Sequence, residues 1–199
     1  MYDSRNKGIL TSIEKVKDNS SNRVVLSFDD GPSKVLPKIL DILKSEEVNA
    51  LFFWQTRLLY PARPWKRVLE EGHIIGTHTT KHRNLIKLTE AEQYKELHSS
   101  KMKIETITGS SINYFRPPYG QYNDTTIKAA KELGLQPVMW KIASMDWHHK
   151  ENPEEILSCV LENLQDGAII LLHELTQTVK ILPELIKQIK AKDYEITLP

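Results

Sequence analysis

Short apolar runs alternate with amphipathic stretches along most of the chain. Val24–Phe28 is a β-branched run that ends on two aspartates and a Gly31-Pro32 turn signal. Val35 to Glu46 then places Leu36, Ile39, Leu40, Ile42 and Leu43 at helical spacing. Further strands are predicted at Ala50–Phe53, Ile74–Thr77, Tyr114–Arg116, Gln136–Trp140 and Ala168–Leu172. Helices are predicted from Trp65 to Glu71 and from the capping box Thr89-Glu90-Ala91-Glu92 to about Thr108. Others run from Asp124 to Leu133, with Gly134 as cap, from Asn152-Pro153 to about Asn163, and from Val179 to Lys190. Strands and helices in this alternation argue for a parallel α/β domain, with a barrel as the leading architecture.

Composition narrows the chemistry. The chain has 199 residues, 40% hydrophobic and 27% charged, the profile of one globular domain rather than a disordered tail. Residues 1–22 are polar and end in DNSSN, so they read as a lead-in to a domain at 23–199. The net charge of +1 gives no global reason to bind nucleic acid or an anionic membrane. The longest apolar runs fall far short of the ~20 residues of a membrane span. The N-terminal stretch lacks a hydrophobic signal core, so the sequence as it stands reads as cytoplasmic, or as exported to the wall if it is part of a longer chain. A monomer is expected. The single cysteine, Cys159, supports neither an internal disulfide nor a thiolate metal cluster. Metal or acid–base chemistry must therefore come from the seven histidines and from carboxylates.

The suggestive polar residues fall where predicted strands end: Asp29 and Asp30, His78, Arg116, Asp146 and His173. In parallel barrels that end of the strands carries the active site. His78 and His82, four residues apart, suit two ligands of one metal ion, or are a chance pair. Asp29-Asp30 reads either as a metal-binding carboxylate beside a general base, or as a solvated turn that caps the next helix. His173 is either a core histidine or a general acid. In Arg116-Pro117-Pro118-Tyr119-Gly120 two prolines stiffen a loop that presents an arginine and a backbone N–H.

Taken together, these segments resemble the polysaccharide deacetylases of carbohydrate esterase family 4, the NodB-homology family. The likeness runs from about Arg23 to the end. It rests on Ser27-Phe-Asp-Asp-Gly-Pro32, on His78 to His82, on Arg116 to Tyr119 and on Leu171-Leu172-His173. The resemblance implies a distorted (β/α) barrel, parallel and seven- or eight-stranded. It implies hydrolysis of N-acetyl groups on a glycan of N-acetylglucosamine, peptidoglycan or chitin-like. Asp29 would be the general base, His173 the general acid, and Asp30, His78 and His82 the metal ligands. Zinc is the first choice of divalent metal, with cobalt, nickel or manganese as alternatives. Arg116 would tune Asp29, and the Pro118-Tyr119 backbone would hold the oxyanion. Trp147 and Leu171 would receive the acetyl methyl group.

Two segments depart from the family pattern. The family's D-S-x-D-W appears as Ala143-Ser-Met-Asp-Trp147, so the first aspartate is missing. With that position assigned as the partner of the catalytic histidine, His173 is expected to be less readily protonated, and the enzyme weak or specialised. Asp146, His148 or Glu174 are the candidates to replace the partner. The T-F-F-x-x-G stretch reads Leu51 to Thr56 without its glycine. A catalytically silent glycan-binding relative is the alternative reading. Trp65 and Trp140 read either as glycan platforms or, by default, as buried core aromatics.

Overall fold

The structure is a computed structural model, and it describes residues 8–13 and 22–199. Its centre is a curled parallel sheet. The strands are β1 (Asn22–Gly31), β2 (Ala50–Trp54), β3 (Ile74–Thr77), β4 (Tyr114–Phe115), β5 (Gln136–Pro137), β6 (Ile142–Ala143), β7 (Ala168–His173) and β8 (Tyr194–Ile196). Their order is β5-β4-β3-β2-β1-β7-β6, and β8 pairs with the first residues of β1. The helices between them are α1 (Leu36–Ser45), α2 (Trp65–Glu70), α3 (Glu90–Thr108), α4 (Asp124–Glu132), α5 (Glu154–Leu161) and α6 (Thr176–Ala191). The expected distorted α/β barrel is the observed fold.

The period-2 alternation of a strand decides which residues reach the site. Along β1, Val24, Leu26 and Phe28 belong to the larger core, between the sheet and its helices. Val25 belongs to a smaller core on the opposite face, with Leu51, Phe53, Val138 and Ile169. Ser27 and Asp29 share parity with Val25, as Leu171 and His173 do with Ile169. The β1–β7 register pairs Asp29 with His173 and Ser27 with Leu171. The barrel interior thus changes from apolar to chemically active at the C-terminal strand ends.

Sequence and structure differ where elements are short. The capping box at Thr89 forms as read, with Glu92 reciprocating, and Gly109 closes α3 at φ 70°. The strand expected over Gln136–Trp140 is paired as a ladder only at Gln136–Pro137. Val138 bridges to Leu10 instead, and Ser12 bridges to Ala168. Residues 8–13, read as part of a loose lead-in, are therefore tied across the opening between β5 and β7. Ile9 is buried there, and Leu10 and Ile13 pack on the smaller core. Strands β6 and β8 were not anticipated; two or three residues are too few to display a period. No helix among the described residues is long and apolar enough to cross a membrane.

Candidate active site

Asp29 is held by a fully buried arginine. Arg116 Nη1 donates to Asp29 Oδ1 at 2.8 Å and to Ser27 Oγ at 3.0 Å. Its other nitrogens donate to the backbone oxygens of Val138 and Met139 at 3.2 and 3.1 Å. The guanidinium plane lies 4.2 Å from the Phe53 ring centroid. Every bond holds the fork in one orientation, which fixes the Asp29 carboxylate against a permanent positive charge.

Asp30, His78 and His82 converge beside it. Each offers one ligand atom, and those atoms all lie within 4.8 Å of one another. His82 Nε2 is 3.6 Å and His78 Nε2 3.8 Å from Asp30 Oδ1. These separations exceed a hydrogen bond and are close to the ~3.3 Å between two ligands of a tetrahedral zinc ion. His78 Nδ1 lies 2.7 Å from the Arg116 carbonyl oxygen, so it carries the proton and leaves the Nε2 lone pair for a cation. Asp30 Oδ1 accepts from Gln55 Nε2 at 2.5 Å, and Gln55 Oε1 accepts from Arg57 Nε at 2.8 Å. The residues present fit a divalent metal. Burial opposes the charge on Asp30, but His78, His82, His173 and the Gln55 bond together hold its carboxyl below the usual range. Burial and the neighbouring His78 push His82 down, toward the neutral form that binds metal.

The backbone is bent to bring these groups together. Asp30, Thr79, His82, Tyr119 and Met145 all have left-handed backbones, with φ of 67°, 68°, 56°, 59° and 57°. For non-glycine residues such geometry costs roughly 1–3 kcal/mol each and is retained at functional sites. At Gly31 a glycine is required for space. A Cβ there would sit 1.8 Å from Glu174 Oε1. Glu174 is buried under the aspartate loop, where its carboxylate accepts from Ser33 N at 2.6 Å and Trp54 Nε1 at 2.9 Å. Burial raises its carboxyl to about 7.

His173 has a carboxylate partner after all. Its Nδ1 is 2.7 Å from Asp146 Oδ1, and its backbone N–H donates to Asp146 Oδ2 at 2.6 Å. Thr178 Oγ1 donates to the same Oδ2 at 2.7 Å. Burial disfavours the imidazolium, but the Asp146 bond and charge, with Asp29 and Asp30 beyond, raise His173 overall. The expectation that His173 is less readily protonated is therefore corrected. The partner comes from the second aspartate of the altered motif, and His173 is more readily protonated than a free histidine.

One pocket of about 500 Å³ joins these groups. Asp29, Asp30, His78, His82 and His173 line it, with Tyr119, Trp147 and Leu171 on its walls. Trp147 stands edge-on to His173 at 5.1 Å and is 48% exposed. Pro117, not Pro118, lines the pocket; Pro118 is buried behind it as the start of a 3-10 turn. Trp140, read as a core aromatic, is a pocket wall instead. Gln55 escaped the sequence reading because only contact reveals it. The arrangement sets a fixed carboxylate and a protonatable imidazole in one pocket with a cluster that could hold a metal ion.

The polysaccharide deacetylase family profile matches residues 16–138. The chain is 35% identical over 199 aligned residues to the peptidoglycan-N-acetylglucosamine deacetylase PgdA of Listeria monocytogenes. That alignment covers 96% of this chain but 42% of the relative, so the chain spans less than half of that protein. A solved peptidoglycan N-acetylglucosamine deacetylase superposes with a TM-score of 0.83 at 34% identity, over 90% of this chain and 87% of that one. A CE4-family pseudoenzyme from Bacillus anthracis superposes at 0.82 and 26% identity, over 89% of this chain and 64% of that one. With the four sequence motifs gathered in one pocket of the expected barrel, the chain belongs to the polysaccharide deacetylase family.

Proposed function

We propose that this chain is a divalent-metal-dependent hydrolase that removes N-acetyl groups from N-acetylglucosamine units of a polysaccharide, peptidoglycan or chitin-like. One observation carries the reading. Asp29, oriented by Arg116, and His173, oriented by Asp146, line the same pocket as the Asp30–His78–His82 cluster. A cation held by that cluster, zinc before cobalt, nickel or manganese, supplies Lewis acidity toward the acetamide carbonyl and makes water more acidic.

Asp29 acts as general base and takes the proton of the attacking water. Arg116 keeps the carboxylate charged and aimed while it waits. The backbone N–H of Tyr119 stabilises the oxyanion that develops on the carbonyl oxygen. His173 gives its proton to the departing sugar nitrogen, and acetate leaves. The carboxylate of Asp146 supports this step because it stabilises the imidazolium that must be present beforehand. Each acid–base role is worth about 10²–10⁴-fold. Trp147 and Leu171 form the apolar wall that receives the acetyl methyl group.

The test is acetate release from a chito-oligosaccharide, with and without a chelator. Release that stops on chelation and returns with zinc supports the reading. No release with zinc, cobalt or manganese would favour a silent glycan-binding relative. Turnover of simple aryl esters or phosphoesters alone would point to another metal hydrolase.

A further inference from the structure

Glu174 follows the proton-donating histidine in the chain but takes no part in the chemistry proposed above. It is 4% exposed and stands behind the walls of the catalytic pocket, beneath the turn that ends β1. Burying a carboxylate is costly unless its oxygens are bonded. Here both are: Oε2 accepts from Ser33 N at 2.6 Å and Oε1 from the Trp54 indole Nε1 at 2.9 Å. Two N–H donors, one aimed at each oxygen, suit a carboxylate, which accepts at both, and not an amide, which accepts at one.

The groups that Glu174 holds are the backbone neighbours of two residues of the metal cluster. On one side of Asp30, the Glu174 backbone N–H donates to the Asp29 carbonyl oxygen at 3.2 Å. On the other, the side chain grips Ser33 N and occupies the space that a Cβ on Gly31 would need. Asp30 itself is left-handed, with φ 67°, and the β1–β2 register shifts between Asp29 and Gly31. A non-glycine residue keeps such a conformation only where its surroundings over-determine it. Trp54 extends the same hold to the next ligand. Its carbonyl oxygen accepts from His78 N at 2.9 Å while its indole is bonded to Glu174. The two carboxylate oxygens thus reach the backbone that presents Asp30 and the backbone that presents His78.

We infer that Glu174 is a positioning residue for the metal cluster: from behind the pocket its carboxylate sets the backbone of Asp30 and, through Trp54, that of His78, and it touches neither metal nor substrate. The inference rests on the reading of Asp30, His78 and His82 as metal ligands. Its consequence is that metal affinity and geometry depend on a group outside the ligand set.

Zinc affinity, titrated against a competing chelator, tests this without reference to turnover. Glu174→Gln keeps the shape but turns an NH₂ toward one of the two donors. Its zinc affinity should fall about tenfold or more, and the visible spectrum of the cobalt-loaded protein should change with it. Trp54→Phe removes the indole donor and should weaken zinc in the same direction, by less. The double variant gives the readout that a loss of stability alone would not move. With no indole N–H left to oppose the amide, it should regain part of the affinity that Glu174→Gln loses. Circular dichroism and melting establish that each variant is folded, and Trp54→Phe decides alone should Glu174→Gln not fold. Wild-type zinc affinity and cobalt spectrum in the folded variants, or losses that simply add in the double variant, overturn the inference and leave the deacetylase reading standing. Weakened zinc in the variants of a wild type that releases no acetate sustains the role of Glu174 and overturns the deacetylase reading.

Discussion

Asp146 Oδ1 lies 2.7 Å from His173 Nδ1, and the same carboxylate accepts the His173 backbone N–H and the Thr178 hydroxyl. Asp146 has no solvent exposure, so its charge is not screened away from the imidazole. The histidine is thereby fixed in tautomer and orientation, with Nε2 left to face the pocket. Position 143, which carries alanine, is not needed for this.

The first prediction concerns pH. His173 must be protonated to act as an acid, and its raised pKa keeps it so to higher pH. Asp146→Asn removes the charge that favours imidazolium. The alkaline limb of kcat should move to lower pH, and kcat at its optimum should fall about 10²-fold or more. A pH–rate profile checks both, and an unmoved limb would break the link between the two residues.

Ala143→Asp is expected to do little. A second carboxylate near β7 finds Nδ1, the nitrogen turned toward Asp146, already engaged. The alkaline limb should stay where it is and kcat should not rise. A clear gain in activity with an upward shift would show that Asp146 is an incomplete partner.

Gln55 presents its amide to Asp30 and is itself held by Arg57. Gln55→Leu keeps much of the bulk but frees the carboxylate to rotate. Removing such an outer partner typically costs about 10–100-fold in metal affinity. A zinc titration against a competing chelator measures this without reference to turnover.

His73 makes a prediction about stability far from the catalytic pocket. Its side chain is buried, and Nδ1 accepts the Ala50 N–H at 3.2 Å. Burial lowers its pKa to about 4 from 6.5. The folded state thus favours neutral imidazole. That contribution is complete above pH ~6.5, falls as the unfolded chain takes up protons, and is gone once pH passes below about 4, a change on the order of 3 kcal/mol. Urea unfolding at pH 7.5, 5.5 and 4 should show the decline. His73→Leu should be less stable at pH 7.5, with Ala50 N–H unpaired, but flatter across this range.

Much of this was legible in the sequence because the site sits on regular elements. Val24 to Asp29 and Ala168 to His173 are long enough to show alternation, so the pattern alone puts Asp29 and His173 at strand ends. The His78–His82 spacing and the loop at Arg116 carried the rest. What the sequence left open depends on contacts between distant segments. Asp146 and Ala143 lie three residues apart, and only the turn at Met145, with its φ of 57°, decides which one faces His173. Gln55, just after β2, reaches Asp30 on the neighbouring β1. Leu10 and Ser12 find partners at Val138 and Ala168, far along the chain. None of these pairings has a local period, so no window of sequence displays them.

The central claim is that Asp29 supplies base catalysis beside a metal it is not required to hold. Acetate release from an N-acetylated oligosaccharide should therefore be measured on wild type and Asp29→Asn, each with its zinc content determined. The account predicts near-stoichiometric zinc in both proteins, with the rate falling about 10²–10⁴-fold in the variant. Equal rates at equal zinc content, or no acetate from fully loaded wild type, would contradict it.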